Sequence, residues 1–277
     1  MLALPMILQN AITNLVSFLD NIMVGQLGTE QMSGVAIVNQ LIFVYNLAIF
    51  GAASAASIFG AQYFGKGNHE GHMYSFRFKL YATMFVTILA ITLFITNGEN
   101  LISLYLTDTA GTGATDVALR YGKQYLSIML IGLVPFAVTQ SYATNIKETG
   151  QTFVPMAASF VAVGSNAVLD YLLIFGIGPF PKLGVMGAAL ATILARYIEA
   201  AIIVIWAHSH KEKNKYLAGA YRGFGMPMGE FKAILIKGFP LMLNELLWAA
   251  GMTAVTQCYS VRGLEVVAGL NIATTIT

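Results

Sequence analysis

Five ionisable side chains lie inside stretches of the chain that are otherwise apolar. They are Asp20, Asp170, Arg196, Glu199 and Glu245. A charged group within a membrane-spanning helix costs roughly 2.5–3.5 kcal/mol on insertion scales, and such groups commonly line ion or substrate pathways. These residues are therefore the first candidates for chemistry, provided that the stretches around them cross a membrane.

Two of the acidic residues are predicted to lie at the same depth. Asp20 lies five residues before the glycine that ends its stretch, and Asp170 lies eight residues before the glycine that ends its own. A rise of 1.5 Å per residue places both about 8–12 Å inside the helix ends. Asn166 lies four residues before Asp170 on the same helix face, and Thr192 lies at a similar depth in the next stretch. We predict that these four side chains line one outward-facing chamber.

Two carboxylates, an amide and a hydroxyl form a hard oxygen site. Such a site suits protons or a small alkali cation such as Na⁺ rather than a soft transition metal. Like charges in one low-dielectric chamber repel each other, which favours a cation between them. We therefore predict cation binding at Asp20, Asn166, Asp170 and Thr192, with H⁺ or Na⁺ as the coupling ion and no cofactor. The alternative is that Asp20 or Asp170 only hydrogen-bonds a neighbouring helix.

The other three embedded charges, Arg196, Glu199 and Glu245, do not share one predicted role. Arg196 and Glu199 lie three residues apart, so they can form an intrahelical ion pair, and the arginine can instead extend to the membrane interface. Glu245 is six residues after Phe239 and is the only acidic residue of its stretch. We favour a role for Glu245 in substrate or cation coupling over a packing role.

The composition is that of a membrane protein. Of the 277 residues, 57% are hydrophobic and only 10% are charged, whereas soluble domains carry about 25% charged residues. The net charge of +2 is too small for a nucleic-acid-binding surface, and one cysteine excludes a disulfide framework and multi-cysteine metal sites. The lipid bilayer is therefore the expected partner.

Seven apolar stretches are long enough to cross a hydrocarbon core of about 30 Å as helices. They run over Leu2–Val24, Ser33–Tyr63, Leu80–Thr96, Tyr125–Asn145, Phe153–Ile177, Leu183–Ala207 and Phe239–Val261. Strands of a membrane barrel would be about ten residues of alternating character. The predicted fold class is therefore an all-α, polytopic membrane helix bundle.

The basic residues indicate the orientation of the chain. Most flank the even-numbered connections: Lys66, Arg77, Lys79, Lys147, Lys211, Lys213, Lys215, Arg222, Lys232 and Lys237. Fewer flank the odd-numbered ones: Arg120, Lys123, Lys182 and Arg262. The positive-inside rule then places the N-terminus and the even-numbered connections in the cytoplasm. We interpret the long basic connection over 209–230 as a solvated topology signal.

The seventh stretch repeats features of the first. Identical residues recur at matching positions: Pro5 and Pro240, Gly28 and Gly263, Glu30 and Glu265, Gly34 and Gly269, and Ile37 and Ile272. Chance similarity between glycine-rich apolar segments is the alternative. Because the offset spans six helices, the two units would be parallel repeats, as in some transporters. We predict a six-helix lobe over 1–207, a connection over 208–230 and the start of a second lobe over 231–277, within a full-length protein of about twelve helices.

Three motifs resemble those of the multidrug and toxic compound extrusion (MATE) transporters. They are the segment from Pro5 to Asp20 that continues into V-G-Q-L-G, the N-A-V-L-D-Y-L-L-I-F-G segment with L-G-V-M-G-A-A-L-A-T after it, and P-L-M-L-N-E-L-L-W-A-A-G. The resemblance covers essentially the whole chain.

The resemblance implies two six-helix lobes, alternating access and export of cationic amphipathic compounds against inward H⁺ or Na⁺. The cation site of this family would map onto Asp20, Asn166, Asp170 and Thr192, and its acidic residue of the seventh helix onto Glu245. We expect a multi-pass plasma-membrane protein, monomeric at full length, without enzymatic activity.

Pro5 is the predicted hinge of the first helix. A proline removes a backbone hydrogen bond, so neutralising Asp20 and Asp170 could change how this helix packs, narrow the drug cavity and release the substrate outside. The alternative is a static kink near the start of the helix.

Three other functional classes fit less well. A seven-helix receptor would place its N-terminus outside, against the charge distribution. A membrane enzyme is disfavoured because the four histidines lie in connections without an H-E-x-x-H spacing. A flippase for lipid-linked oligosaccharides would need basic residues in its cavity, whereas the embedded charges are mostly acidic.

Overall fold

The computed structural model describes residues 18–106, 113–221 and 225–262, together with positions 265, 266, 269, 270 and 273. Within these residues the protein is helical and contains no strand, which confirms the predicted fold class. Pro5 lies outside the described residues, so its role as a hinge stays a prediction.

Eight helices follow one another over the described residues between 18 and 260. Residues 18–25 form the described part of α1. The others are α2 (Thr29–Gly65), α3 (His69–Ser103), α4 (Ala114–Met129), α5 (Leu133–Glu148), α6 (Phe153–Phe175), α7 (Val185–Ser209) and α8 (Met228–Ser260). A 3₁₀ turn over Leu130–Gly132 separates α4 from α5, and a second over Lys215–Leu217 lies between α7 and α8.

Six of the described helical segments are long and apolar enough to cross a membrane. They confirm the second to seventh predicted stretches, with α4, the 3₁₀ turn and α5 forming the fourth. The observed helices extend past the apolar runs, because α3 begins at His69 and α8 at Met228. The start of α3 is stabilised by a cap, since Gly71 N donates to Asn68 Oδ1 at 2.9 Å.

Glycines allow the helices that carry the acidic residues to approach closely. A Cβ on Gly187 of α7 would lie 2.6 Å from the carbonyl oxygen of Leu173 in α6. The connection between these helices is tight as well, because Gly176 ends α6 at a φ of +71° and Leu183 N donates to Leu173 O at 2.9 Å. Helices α6 and α7 therefore pack as a close antiparallel hairpin.

A second close approach joins α2 to α4. A Cβ on Gly34 would lie 2.5 Å from the carbonyl oxygen of Ala118. Small residues at helix contacts provide the packing that holds membrane helices together, because lipid supplies no hydrophobic drive between them. Around this contact the largest buried cluster contains side chains from α2, α4, α5 and α7, among them Ile37, Met129, Leu133 and Ile193.

Two basic residues at the start of α3 are buried rather than solvated. Arg77 is 5% exposed and Lys79 is fully buried. Lys79 forms a salt bridge with Glu148 of α5 and donates to Asn145 Oδ1 at 2.7 Å. His72 Nε2 lies 3.3 Å from Glu148 Oε2. These side chains tie α3 to α5 inside the bundle.

The connection between α7 and α8 is partly folded onto α3. The guanidinium of Arg77 donates to the carbonyl oxygens of Gly219, Ala220 and Gly225 at 2.5, 2.8 and 2.6 Å. Tyr216 is buried against Phe76, with ring centroids 5.0 Å apart, and burial raises the pKa of the Tyr216 hydroxyl. The prediction of a solvated 209–230 segment is therefore wrong for this part. It holds for the exposed side chains of Lys211, Lys213 and Lys215.

Helix α8 packs along one side of α2. A Cβ on Gly51 would lie 3.3 Å from Met242 Cα, and the rings of Phe43 and Trp248 are 5.9 Å apart. Pro240 lies inside α8 without ending it. Most of the remaining surface of α8 is exposed in this chain.

Candidate functional site

Asp20 of α1 and Asp170 of α6 lie beside each other, as the matching depths predict. Asp170 is 1% exposed, and the two carboxyl groups are close enough to interact electrostatically. Both oxygens of Asp170 and Oδ1 of Asp20 are buried without a hydrogen-bond partner among the described residues. Three unsatisfied acidic oxygens in one place are unusual, because buried polar atoms are almost always paired.

Asn166 lies next to Asp170, and Thr192 is linked to the acidic pair through Tyr125, which contacts the Thr192 side chain and is within electrostatic reach of both carboxyl groups. The Asn166 amide lies close to the Asp170 carboxyl group, one turn away on α6, although its buried Nδ2 atom makes no hydrogen bond of regular geometry within the described segments. The Thr192 hydroxyl donates to Ala188 O of its own helix at 3.0 Å. Its oxygen lone pairs therefore remain available to a ligand. The structure brings all four predicted residues together.

Tyr125 of α4 and Asn39 of α2 complete the cluster. Tyr125 is 1% exposed, lies beside Thr192, and is within electrostatic reach of both Asp20 and Asp170. Its hydroxyl donates to Asn39 Oδ1 at 3.3 Å. Neither residue is among the predicted site residues. The sequence feature that could have indicated Tyr125 is its position as a polar aromatic residue at the start of the fourth apolar stretch.

Arg196 and Glu199 form no salt bridge among the described residues. Arg196 Nη1 donates to Gly132 O at 3.2 Å and its guanidinium lies 5.0 Å from the centroid of the Phe136 ring. Glu199 Oε1 accepts from the Ser159 hydroxyl at 2.5 Å. The intrahelical pair is therefore not formed, because each side chain finds a partner on another helix.

Glu245 lies apart from this cluster, on the face of α8 that packs against α2. A Cβ on Gly51 would be 3.4 Å from Glu245 Cβ. In the described part of the chain its carboxylate makes no salt bridge. Its role in substrate or cation coupling stays a prediction.

The side chains of this cluster could hold a small cation. Carboxylate oxygens come from two helices, with a hydroxyl and an amide within the same cluster, and hard cations prefer oxygen ligands. Side chains of α1, α2, α4, α6 and α7 all contribute to the cluster.

Comparisons with known proteins identify the family of the chain. The MatE family model matches residues 5–172. A probable multidrug resistance protein NorM of Thermotoga maritima is 27% identical over 281 residues, which cover 97% of this chain and 55% of that protein. An FAD transporter of Shewanella oneidensis is 27% identical over 183 residues, covering 65% of this chain and 38% of that protein. The chain spans about half the length of the curated relatives it matches.

Solved structures share the fold. An inward-facing MATE transporter superposes with a TM-score of 0.81 at 21% identity, covering 98% of this chain and 60% of that one. A transporter of the same superfamily from Pyrococcus furiosus superposes with a TM-score of 0.76 at 23% identity, covering 99% of this chain and 61% of that one. With the family model matching more than half of its residues, the chain belongs to the MatE family of multi-pass membrane transporters.

Proposed function

We propose that this protein is a secondary active exporter that moves cationic or amphipathic organic compounds out of the cell in exchange for inward H⁺ or Na⁺. The observation that carries the proposal is that three buried oxygens of Asp20 and Asp170 have no hydrogen-bond partner within the residues that the structure describes. Leaving such atoms unsatisfied costs about 1–3 kcal/mol each, more where they are charged. A bound cation would offset this cost.

The exchange follows from the position of the pair. Binding of H⁺ or Na⁺ neutralises the repulsion between the two carboxylates, and α1 and α6 can then pack differently. The cation and the organic substrate would favour different packings of α1. Binding of one therefore disfavours binding of the other, which is the requirement for antiport. Pro5 is the proposed hinge, and Glu245 the proposed second acidic contact on α8.

The proposal also covers the membrane, the oligomeric state and the orientation of the protein. The exporter would lie in the plasma membrane as a monomer at full length, with its N-terminus in the cytoplasm. The buried basic residues of α3 remain on the predicted cytoplasmic side, together with the exposed lysines of the α7–α8 connection.

Transport in liposomes tests the function. The protein expressed from its native gene is reconstituted, and efflux of a fluorescent organic cation is measured under separate Na⁺ and pH gradients. We expect efflux under at least one gradient, and its loss in Asp20→Asn and Asp170→Asn. The matched control is Asp116→Asn, which changes an exposed aspartate of α4. Full efflux and unaltered ion coupling in Asp20→Asn would contradict the proposal.

The FAD transporter among the relatives supports a second candidate cargo, an anionic nucleotide. The acidic pair disfavours an anion nearby, since like charges repel. The same liposomes loaded with FAD separate the two: FAD efflux without efflux of the organic cation would replace the first candidate. A flippase would instead move lipid-linked oligosaccharide and leave both cargoes inside.

A further inference from the structure

All three nitrogens of the Arg77 guanidinium bind the backbone of the connection between α7 and α8. Nε donates to Ala220 O at 2.8 Å, Nη1 to Gly225 O at 2.6 Å and Nη2 to Gly219 O at 2.5 Å. Arg77 lies in α3 and is 5% exposed. Hydrogen bonds from a charged donor are roughly twice as strong as neutral ones. A lysine ammonium lacks the rigid planar fork of the guanidinium, so it would match these three carbonyls poorly.

Aromatic and amide side chains fasten the same connection to the bundle. Its described residues, 210–221 and 225–227, are here called the strap. The buried ring of Tyr216 lies 5.0 Å from the ring of Phe76 in α3, and the hydroxyl of Tyr221 is hydrogen-bonded to that of Tyr142 in α5. Asn214 is fully buried, and its Nδ2 donates to a carbonyl oxygen near the end of α7 at 3.2 Å. The strap is therefore held by α3, α5 and α7.

The end of the strap fixes the start of α8. Gly225, which supplies one of the three carbonyls, lies three residues before α8 begins. In the first turn of α8 the Glu230 carboxylate accepts a hydrogen bond from the Tyr63 hydroxyl of α2. The ring of Phe231 lies 5.6 Å from that of Phe78 in α3. A shift of the beginning of α8 relative to α2 and α3 would therefore break these contacts.

We propose that Arg77 is a positioning residue that clamps the strap onto α3 and so couples the movement of α8 to that of the first six-helix bundle. Helix α8 is the first helix of the predicted second lobe, so the clamp would transmit ion binding at Asp20 and Asp170 to that lobe. The inference rests on the proposed function, because the movement concerned is that of an exporter.

The coupling follows from the stiffness of the strap. In transporters built of two repeats, alternating access is largely a rigid-body rocking of one repeat against the other. A flexible connection lets one repeat move while the other stays in place, whereas a connection held at three backbone carbonyls moves with α3. Without the guanidinium the strap keeps the contacts of Tyr216, Tyr221 and Asn214, so it should open locally more often.

Limited proteolysis measures how firmly the strap is held. Trypsin is added to the protein in detergent, where cleavage after the exposed Lys211, Lys213 and Lys215 requires local opening of the strap. For Arg77→Gln we expect cleavage between α7 and α8 to be about tenfold faster than in the wild type. Arg77→Lys should also be cleaved faster, because it keeps the charge without the fork. A wild-type cleavage rate in either variant would overturn the clamp.

Transport and ion binding are measured on the same variants. In liposomes we expect efflux of the fluorescent organic cation to fall roughly tenfold in Arg77→Gln. The ion-dependent rise of the thermal unfolding midpoint should persist, because the acidic pair is intact. Wild-type efflux from a protein with a loosened strap would overturn the coupling role. Loss of both efflux and the midpoint shift would overturn it too, because Arg77 would then only stabilise the bundle.

A second variant loosens the strap without changing Arg77. Gly219 has a φ of +89°, which is strained for any residue with a side chain, so Gly219→Ala carries the same expectations as Arg77→Gln. The matched control is Gly178→Ala, which introduces the same strain at a φ of +69° in the α6–α7 connection. Arg120→Gln, which removes an exposed arginine of α4, controls for the loss of positive charge. Both controls should keep the wild-type cleavage rate between α7 and α8.

Failure of this inference differs from failure of the proposed function. Absence of ion-driven efflux in the wild type overturns the proposed function and the coupling role together. The clamp itself is still decided by the trypsin cleavage rates, which need no transport. Ion-driven efflux in the wild type that is unchanged in Arg77→Gln and Gly219→Ala overturns the coupling role alone.

Discussion

At Asp20 and Asp170 the protein holds acidic oxygens away from water without giving them hydrogen-bond partners within the described residues. The buried Lys79, in contrast, is paired with Glu148 and Asn145. Buried polar groups thus serve two purposes in this protein. The paired set holds helices together, and the unpaired set is available to a ligand.

Ion binding at the unpaired set should stabilise the folded protein. A ligand that binds only the native state raises stability by RT ln(1 + [L]/Kd), about 2.7 kcal/mol at a hundredfold excess over Kd. We expect added Na⁺ or acidification to raise the thermal unfolding midpoint of the wild type in detergent, and Asp170→Asn to abolish that shift. Asp116→Asn should keep it. If the unfolding midpoint of Asp170→Asn rises as much as that of the wild type, the ion binds at another site.

Lys79 allows the contribution of a buried, paired charge to stability to be measured. Lys79→Met leaves Glu148 without its main partner in a buried site, so we expect a loss of about 3–5 kcal/mol in the free energy of unfolding. Adding Glu148→Gln should recover part of that loss. The comparison is Lys123→Met, which breaks the exposed pair with Glu99 and should cost less than about 1 kcal/mol. Equal losses of unfolding free energy in Lys79→Met and Lys123→Met would mean that burial does not determine how much a salt bridge contributes to stability.

At the scale of helices, close approach decides whether the site exists. Helices α6 and α7 carry Asp170 and Thr192, and their distance is set where Gly187 meets the Leu173 carbonyl. Helices α2 and α4 carry Asn39 and Tyr125, and meet at Gly34. The site is therefore assembled by contacts of small residues that lie apart from it.

Gly187→Ala tests this dependence. The added Cβ would lie 2.6 Å from a backbone oxygen, so the helices must separate, at a cost of about 1–3 kcal/mol. Gly164→Ala in α6 adds the same atom into open space and should change stability by less than about 1 kcal/mol, toward higher stability. Thermal unfolding and the ion-dependent midpoint shift check both variants. A Gly187→Ala protein with wild-type stability and ion response would show that the helices tolerate separation.

At the scale of the whole molecule, the charges are distributed unevenly between the two ends of the bundle. One end carries the buried Arg77 and Lys79 together with the part of the α7–α8 connection over 210–221. The acidic pair lies toward the other end, on α1 and α6. The acidic pair and the buried network of Lys79 are thus separated along the bundle axis.

The orientation of this axis can be measured by cysteine labelling. Cys258 is the single cysteine, so Cys258→Ser supplies a background for new sites. In intact cells a membrane-impermeant maleimide should label Lys182→Cys and Asp116→Cys. Lys66→Cys and Lys213→Cys should react only after the cells are opened. The reverse pattern would invert the predicted topology.

The sequence by itself determined the class of protein, six of the described spans and the residues worth examining. A bilayer demands long apolar helices, and it makes Asp20, Asp170 and Arg196 conspicuous inside them. Their spacing also indicated the shared depth of the acidic pair, because helical rise is constant.

Only the tertiary structure decided which side chains meet. Lys79 and Glu148 lie 69 residues apart, and Arg196 and Gly132 lie 64 apart, so no local pattern links them. The same holds for Tyr125 beside the acidic pair, and for Arg77, whose carbonyl partners belong to a distant connection. Helical periodicity fixes the direction of a side chain relative to its own helix, whereas its neighbours depend on how whole helices pack.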